Sequence, residues 1–326
     1  DEKDAKTDAA SSNTAEPPMS KSALKKARKL AEWEAGREDR KVKRKEKIKA
    51  QKEAKREAIQ AAIAADPSYA EKYKAETQQK MEQKSSAVHV PVTVVFDCNF
   101  DDKMLDHERK SLASQLTRCY SDTRNSSMKP HLAVASFGGK LKERFEGILD
   151  NHHKNWKGFR FLEEDFVQVA EKAKEWMKEK NGQKLAGPLL ERSQSAQAKA
   201  AGEGNEGKKV DGAAETEGEV IYLSSEGDET LHELKPHGVY IIGGLVDKNR
   251  HKGICHKRAV ERGIRTAKLP IGDFLEMSSR KVLAVNHVNQ IMLKWLECGD
   301  WGEAFLEVMP KRKGGQLRKE SEDVED

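Results

Sequence analysis

Three polar segments of the sequence carry side chains that could do chemistry, and each of them follows a short apolar run. They are Asp97–Asp102, Ser224–Asp228 and Gly243–Arg250. If the apolar runs are strands of an open parallel sheet, these segments share one rim, because ligands of such sheets bind beyond the carboxyl ends of the strands. Carboxylates and glycines on that rim could accept a proton and hold a ligand close to the backbone.

The third segment is the most informative of the three. Gly243 and Gly244 lack Cβ atoms, so a ligand could approach the backbone there. Asp247 could accept a proton, or pair with Lys248 and Arg250. Two plainer alternatives stay open: a tight turn at the glycines, and a helix N-cap role for Asp97. The segment is not GxGxxG, and no GxxxxGKS/T or GxSxG motif occurs in the sequence, so dinucleotide, P-loop and serine-hydrolase sites find no support.

The four cysteines are widely spaced, with no CxxC pair, which argues against a zinc ribbon, a redox pair or a disulfide framework. His251, Cys255 and His256 are the nearest approach to a metal cluster. Because no fourth ligand lies nearby, surface histidines beside a buried cysteine are the favoured interpretation. We expect no metal and a reducing compartment.

Apolar runs alternate with segments of helical spacing, and these are the elements that must position the polar segments. The expected strands are 90–96, 131–137, 159–161, 220–223, 239–242 and 264–269, and the expected helices are 103–124, 140–150, 165–180, 250–262 and 281–297. Such alternation indicates a parallel sheet with helices on both faces, so the predicted fold class is α/β.

The composition indicates one folded domain with polar flanks. Charged residues make up 35% of the 326 residues, whereas globular domains carry about 25%. We predict a disordered acidic tail over 1–20, a basic helical extension over 21–87, a domain over 88–310 and a charged tail over 311–326. Residues 183–218 contain no aromatic residue and are rich in Gly, Ala, Glu and Lys, which predicts a disordered insertion within the domain.

The extension is strongly basic. Residues 21–57 hold sixteen Lys and Arg against seven Asp and Glu, and few helix breakers occur between Ser22 and Ala65. A long helix of this charge attracts phosphate backbones; a merely solvated helix is the alternative. Its basic clusters also fit nuclear import, so we expect the nucleus, the cytoplasm or both. No apolar run approaches the roughly 18 residues that span a bilayer, and no membrane role is expected.

Several longer motifs, taken in order, resemble one known family. They are Phe96–Asp102, Gln115–Ser121, Ile241–Arg250, Gly263–Ile271, Val282–Val288 and Trp301–Pro310. They look like the eukaryotic tRNA (guanine-9, N1) methyltransferases of the SPOUT superfamily. The resemblance covers about 88–310 apart from the insertion, and it includes a Lys/Arg-rich N-terminal extension.

The resemblance implies a SPOUT fold, in which a parallel sheet flanked by helices ends in a deep trefoil knot. It implies S-adenosylmethionine as the cofactor, tRNA as the partner and a monomer with no obligate protein partner. By similarity, the cofactor site comprises Leu223, Gly243, Gly244, Lys248, Asn249, Arg250, His251, Lys252, Cys255, Leu269, Pro270, Ile271, Val282, Leu283 and Ala284.

The chemistry of guanine adds a requirement. Its N1 carries a proton near neutral pH, so a carboxylate within hydrogen-bond reach is a natural acceptor. By resemblance Asp247 is the leading catalytic candidate, with Asp97 and Gln115 near the target base. Phosphate contacts are expected from basic side chains of the extension and the domain, namely Lys25, Lys26, Arg28, Lys29, Lys41, Lys43, Arg44, Lys45, Arg118, Lys140 and Arg144.

Two other functions stay open on the sequence. The first keeps the fold and methylates adenine at position 9, whose N1 carries no proton. The second is a non-catalytic RNA-binding or chaperone protein with a SPOUT-like shell. A small-molecule methyltransferase is a third, weaker alternative, because it leaves the basic extension without a purpose.

Overall fold

The computed structural model of the chain describes residues 20–85, 87–179, 184–202, 218–276, 282–309 and 316–317. Its contacts divide the chain into two units, residues 1–78 and 79–326. The first unit contains helix α1 (Lys21–Ala35), helix α2 (Arg37–Ala65) and the start of helix α3 (Ser68–Ser85). Helices α1 and α2 occupy the range in which a long helix is expected, with an interruption at Gly36, and none of the described side chains of α2 is buried.

A seven-stranded parallel sheet organises the second unit. Its strands are β1 (Val88–Asp97), β2 (Met128–Ala135), β3 (Phe159–Phe161), β4 (Val220–Leu223), β5 (Glu229–Thr230), β6 (Val239–Gly243) and β7 (Arg265–Lys268), in the spatial order β3-β2-β1-β6-β4-β7-β5. The predicted α/β class is confirmed. The strand order reverses between β1 and β6, where Asp97 lies opposite Gly243, and open α/β sheets bind their ligands at such reversals.

The central strand explains its own sequence. Every residue of β1 from Val90 to Asp97 is buried, so the strand needs apolar side chains on both faces and has an unbroken β-branched run. Val94 and Phe96 point to one core cluster, and Val95 points to the other. The sheet is therefore covered on both sides, as the alternation of elements predicts.

Helices form the two outer layers. Helix α4 (Asp106–Asn125) and helix α10 (Val285–Cys298) pack on one face, and helix α6 (Phe166–Lys178) and helix α8 (Ile254–Glu261) pack on the other. The remaining helices are α5 (Gly139–Glu143), α7 (Pro188–Gly202), α9 (Ile271–Phe274) and α11 (Trp301–Val308). Strands β8 (Leu275–Glu276) and β9 (Gln316–Leu317) form a small antiparallel pair.

The prediction of a disordered insertion over 183–218 is wrong for its first half. Residues Pro188–Gly202 form α7, and Leu189 is fully buried in the main core cluster. Leu189 and the contacts of Arg192 with Glu233 and Trp295 attach the helix, although the composition of the segment predicts disorder. Residues 183 and 203–217 lie outside the described residues, as do residues 1–19 and most of 311–326.

Three helix boundaries differ from those expected. Helix α8 begins at Ile254 rather than near 250, because Gly253 adopts a left-handed conformation with φ of 71°. Helix α10 begins at Val285, since Ala284 is extended; Val282–Ala284 are not helical and Lys281 lies outside the described part. The segment after Glu143 continues as a π-helical turn to Ile148. Among the described residues, no helix is long and apolar enough to cross a membrane.

Candidate functional site

A cavity of about 230 Å³ lies at the carboxyl ends of β4, β6 and β7. Its walls come from four segments of the chain, namely residues following β4, β6 and β7 and the residues around the start of α10. Two of the three polar strand ends, those after β4 and β6, therefore line one cavity. Apolar side chains dominate the interior, including Leu223, Leu245, Leu269 and Leu283, and polar groups such as Thr230 and Asn249 are fewer.

The paired glycines are required by close packing of neighbouring elements. A Cβ atom on Gly243 would lie 2.4 Å from Sγ of Cys255 on α8. One on Gly244 would lie 2.7 Å from Sγ of Cys98 and 2.8 Å from the carbonyl oxygen of Asp97. Gly243 lines the cavity, whereas Gly244 is absent from the described residues of its lining. The expected reason, close approach of a ligand, thus applies at most to Gly243, since Gly244 is needed for contact with the end of β1.

Asp247 organises the loop that follows β6, residues 244–253, which we call the Asp247 loop. Its Oδ1 accepts a hydrogen bond from the backbone N–H of Asn249 at 2.8 Å, and its Oδ2 accepts one from that of His251 at 2.7 Å. Lys248 and Asn249 both adopt left-handed conformations, with φ of 55° and 63°. The side chain is 7% exposed and lines the cavity, so a buried carboxylate with a fixed orientation faces it.

Arg250 extends from the same loop to helix α4. Its guanidinium donates to both carboxylate oxygens of Glu108, with Nη2 2.8 Å from Oε2, and also to the carbonyl oxygen of Lys103 at 3.2 Å. The hydrogen bonds that Glu108 accepts, chiefly those from Arg250, lower the pKa of its carboxyl group to about 2. The Glu108 side chain is 2% exposed. Arg250 thus connects the Asp247 loop to α4.

Asp97 is fully buried beneath the rim. Its Oδ2 accepts hydrogen bonds from Nε of Arg258 at 2.8 Å and from the hydroxyl of Tyr222 at 3.0 Å, and its Oδ1 accepts one from the N–H of Asn99 at 3.2 Å. Burial raises its pKa, although the adjacent Arg258 opposes the shift. Asp97 is not one of the described residues that line the cavity. Its contacts are those of an internal ion pair that joins β1 to α8.

Gln115 lies on the face of α4 that meets α10. Its Oε1 accepts a hydrogen bond from the backbone N–H of Val285 at 3.0 Å, and its Nε2 lies 3.2 Å from the hydroxyl of Ser111. Val285 is the first residue of α10 and lines the cavity. Gln115 therefore satisfies a free N–H group at the start of α10 and holds one wall of the cavity in place.

Comparison with known proteins decides the family. The profile of the tRNA (guanine(9)-N(1))-methyltransferase TRM10/TRM10A family matches residues 17–314. The chain belongs to this family. A tRNA (guanine(9)-N1)-methyltransferase from Aspergillus fumigatus is 49% identical over 310 residues, covering 95% of this chain and 74% of the relative. The protein of that name from Schizosaccharomyces pombe is 34% identical over 310 residues, covering 95% of this chain and 84% of the relative.

A solved structure supports the same assignment for the domain. The crystal structure of full-length spTrm10 in complex with SAH has a TM-score of 0.52 and 34% sequence identity to this chain, and covers 69% of this chain and 98% of the other. The SPOUT assignment that the motifs imply is therefore confirmed at the level of a parallel sheet flanked by helices. The likeness is consistent with the cavity described above, which lies at the strand ends of that sheet.

Most of the cofactor residues expected for a member of the tRNA (guanine(9)-N(1))-methyltransferase family line the cavity. They are Leu223, Gly243, Asn249, His251, Cys255, Leu269, Pro270, Ile271, Val282 and Leu283. Among the residues that the structure describes, five expected ones do not line it, namely Gly244, Lys248, Arg250, Lys252 and Ala284. All five residues from 248 to 252 were expected at the cofactor site, but only Asn249 and His251 line the cavity. Lys248, Arg250 and Lys252 are exposed.

Other lining residues are not among the cofactor residues expected from the family resemblance. They are Ser224, Ser225, Glu226, Thr230, Ile242, Leu245, Gly253, Ile254, Lys268, Gly272, Asp273, Val285 and Val288. Ser224–Glu226 belong to a polar strand end that the sequence singles out, so their position was available from that pattern. Thr230, Gly272 and Asp273 belong to short elements that carry no periodic signal.

The basic residues expected to contact RNA occupy both units. Lys25, Arg28, Lys29, Lys41, Lys43, Arg44 and Lys45 are exposed on α1 and α2, whereas the side chain of Lys26 lies outside what the structure describes. In the domain, Arg118 on α4 and Lys140 on α5 are exposed, and Arg144 is half-buried. No group of three His, Cys, Asp or Glu that could hold a metal ion is found within the described ranges.

Proposed function

We propose that the chain is an S-adenosylmethionine-dependent methyltransferase that modifies N1 of the guanine at position 9 of tRNA. The observation that carries this proposal is the match of the whole domain and most of the extension to a family whose members bear that name. The cavity at the carboxyl ends of β4, β6 and β7 supports it independently, because such a position is the expected ligand site of an open parallel sheet.

The lining of the cavity fits the proposed cofactor. Leu223, Leu269 and Leu283 offer apolar contacts to an adenine ring, and Thr230 and Asn249 offer hydrogen bonds to a ribose or an amino-acid group. A relative of known structure was crystallised with SAH, the demethylated form of the cofactor. When bound, S-adenosylmethionine supplies an electrophilic methyl group on a positively charged sulfur.

Asp247 is the side chain to which we assign the proton of guanine N1. Each of its carboxylate oxygens accepts one backbone hydrogen bond, and each oxygen has a second lone pair that remains available for another donor. The two backbone donors fix the carboxylate, so no reorientation is needed when the base arrives. We assign Gln115 a positioning role at the start of α10, and we leave Asp97 out of the proton transfer because its oxygens are engaged with Arg258 and Tyr222.

The substrate side of the proposal rests on charge. The exposed basic side chains of α1 and α2, and those of Arg118 and Lys140, would contact tRNA phosphates. Position 9 lies in the body of the folded tRNA, so the base has to be displaced to reach a cavity of this depth.

Three finer points belong to the proposal. We infer a trefoil knot from the SPOUT family resemblance and the likeness to a solved structure of the same family; an experimental trace through residues 277–281 tests it. We infer a monomer, which sedimentation analysis tests. We infer residence in the nucleus, the cytoplasm or both from the basic clusters, which imaging of a tagged protein tests.

Transfer of labelled methyl groups to tRNA transcripts tests the function. Transcripts carrying guanine, adenine or uracil at position 9 are compared, and the product is mapped by reverse-transcription stops. We expect incorporation only into the guanine transcript, with a stop at position 9. Incorporation into the adenine transcript would instead support the adenine-specific alternative. Folded protein that modifies none of them would support a non-catalytic RNA-binding role.

A further inference from the structure

The Asp247 loop is connected to helix α4 by an ion pair that the proposed chemistry does not use. Arg250 of the loop donates to both oxygens of Glu108 in the first turn of α4. The same arginine donates to the carbonyl oxygen of Lys103, and the same glutamate accepts the N–H of Leu105 at 2.8 Å. An arginine that binds a carboxylate through two parallel hydrogen bonds fixes an angle as well as a distance.

The loop has a conformation that needs such support. Lys248 and Asn249 are consecutive non-glycine residues with positive φ, and such conformations persist only when the surrounding structure holds them. Arg250 lies in the chain between Asn249 and His251, whose N–H groups hold the carboxylate of Asp247. A displacement of Arg250 therefore moves both donors that orient Asp247.

The burial of the pair argues against a purely superficial contact. The Glu108 side chain is 2% exposed and that of Arg250 is 41% exposed. Glu108 is held in place by its burial and by the N–H of Leu105. Removing its charge would therefore leave Arg250 without a fixed partner. Arg250 is also not among the described residues that line the cavity. Its guanidinium binds Glu108, whereas the sequence motif implies a contact with the cofactor.

We propose that Glu108, acting through Arg250, is a positioning residue for Asp247 in the methyl-transfer reaction. The proposal rests on the proposed function for its kinetic consequence, and on the structure alone for its effect on the loop. Glu108 and Gln115 are seven residues apart, two turns of α4, and so lie on the same face of the helix. Through these two side chains, α4 holds the Asp247 loop and the start of α10, both of which line the cavity.

Amide hydrogen exchange of the full-length chain tests the positioning itself. In Glu108→Gln, we expect the amides of Asn249 and His251 to exchange about tenfold faster, because the loop opens more often without the ion pair. Arg250→Lys changes the more exposed partner and should give the same local effect. It therefore replaces Glu108→Gln in the test if that variant folds poorly. The matched control is Glu233→Gln, which removes the Arg192–Glu233 pair outside the described cavity lining and should leave both amides unchanged.

Single-turnover methyl transfer tests the consequence. We expect Glu108→Gln and Arg250→Lys each to lower the rate constant about tenfold, while the Kd for S-adenosylmethionine changes less than about threefold. The double variant should be no slower than either single variant, because both substitutions remove the same interaction. If the pair had a purely structural role, the variants would have a lower melting temperature, but the rate constant would not fall selectively while the Kd for S-adenosylmethionine stays nearly unchanged.

Three results would overturn the proposal. Unchanged exchange at Asn249 and His251 in both single variants would show that the ion pair does not hold the loop. Loss of S-adenosylmethionine affinity in Arg250→Lys alone would show that Arg250 contacts the cofactor directly. Multiplying effects in the double variant would show independent roles. If the wild-type chain transferred no methyl group to tRNA, the proposed function would fail, but the exchange experiment would still decide whether Glu108 positions the loop.

Discussion

At the scale of the residue, Asp247 differs from the other carboxylates around the strand ends. It is buried, lines the cavity and has each oxygen fixed by a backbone donor. Asp97 is also buried, but its oxygens are occupied by Arg258, Tyr222 and Asn99. The difference supports our proposal that Asp247 accepts the proton, and gives Asp97 an internal structural contact.

Asp247→Asn should lower methyl transfer to guanine by about 10²- to 10⁴-fold, the usual contribution of a general base. The amide has the same shape as the carboxylate, so the Kd for S-adenosylmethionine should change less than about threefold. Single-turnover kinetics and calorimetric titration measure the two quantities. Asp228→Asn, at an exposed aspartate outside the described cavity lining, serves as the control. Undiminished turnover in Asp247→Asn would remove that residue from the mechanism.

The contacts of a single residue can be read from the sequence only where its partners are near in the chain. Asp247 binds the N–H groups two and four residues ahead, so its local motif was sufficient. Arg250 finds its partner 142 residues away at Glu108, and Asp97 finds Arg258 161 residues away. Local spacing carries no information about such pairs, which explains why neither ion pair was foreseen.

At the scale of the element, the end of β6 is packed between β1 and α8 by its two glycines. Gly243 faces Cys255 of α8, and Gly244 faces the backbone of Asp97 in β1. Gly244 also faces Sγ of Cys98. Its contact with the carbonyl group of Asp97 cannot be removed by mutation, whereas the Cys255 side chain that faces Gly243 can. This difference gives a paired test of the packing.

Gly243→Ala and Gly244→Ala should each lower the free energy of unfolding by about 1–3 kcal/mol, because the added methyl overpacks the site. Adding Cys255→Ala should restore part of the stability of the Gly243 variant, since it removes the sulfur 2.4 Å from the new Cβ. The same addition should restore nothing in the Gly244 variant. Urea denaturation of the four variants, with Cys255→Ala alone as the reference, measures these differences. Equal recovery in both backgrounds would contradict the packing described here.

The elements themselves were predictable where they are long or fully apolar. The strands of the parallel sheet from β1 to β7 were foreseen apart from β5. The signal was strongest for β1, β2 and β6, because burial on both faces demands continuous apolar runs. The start of α10 was placed too early because Val282 and Leu283 continue its apolar spacing, although they line the cavity instead. Helix α7 was missed because its attachment rests on Leu189 and on contacts of Arg192 with distant residues, within a composition that predicts disorder.

At the scale of the whole molecule, charge is concentrated in one part of the chain. Residues 21–57 carry sixteen Lys and Arg against seven Asp and Glu. None of the described side chains of α2 is buried. The ion pairs found there, such as Arg28–Glu32 and Lys49–Glu53, involve exposed side chains, and such pairs contribute little to stability. The charge is therefore better explained by an external polyanion than by the fold.

Deleting residues 1–84 should weaken tRNA binding and flatten its dependence on salt. The slope of log affinity against log salt should fall by about 0.7–0.9 for each phosphate group that the shortened chain no longer neutralises. The domain should keep its S-adenosylmethionine affinity, because the described residues that line the cavity all lie beyond position 222. Replacing Lys43, Arg44 and Lys45 together with Gln in the full-length chain should reproduce part of the effect, whereas replacing the acidic Glu46, Glu53 and Glu57 with Gln should steepen the slope. An unchanged affinity and slope after the deletion would show that α1 and α2 are merely solvated helices.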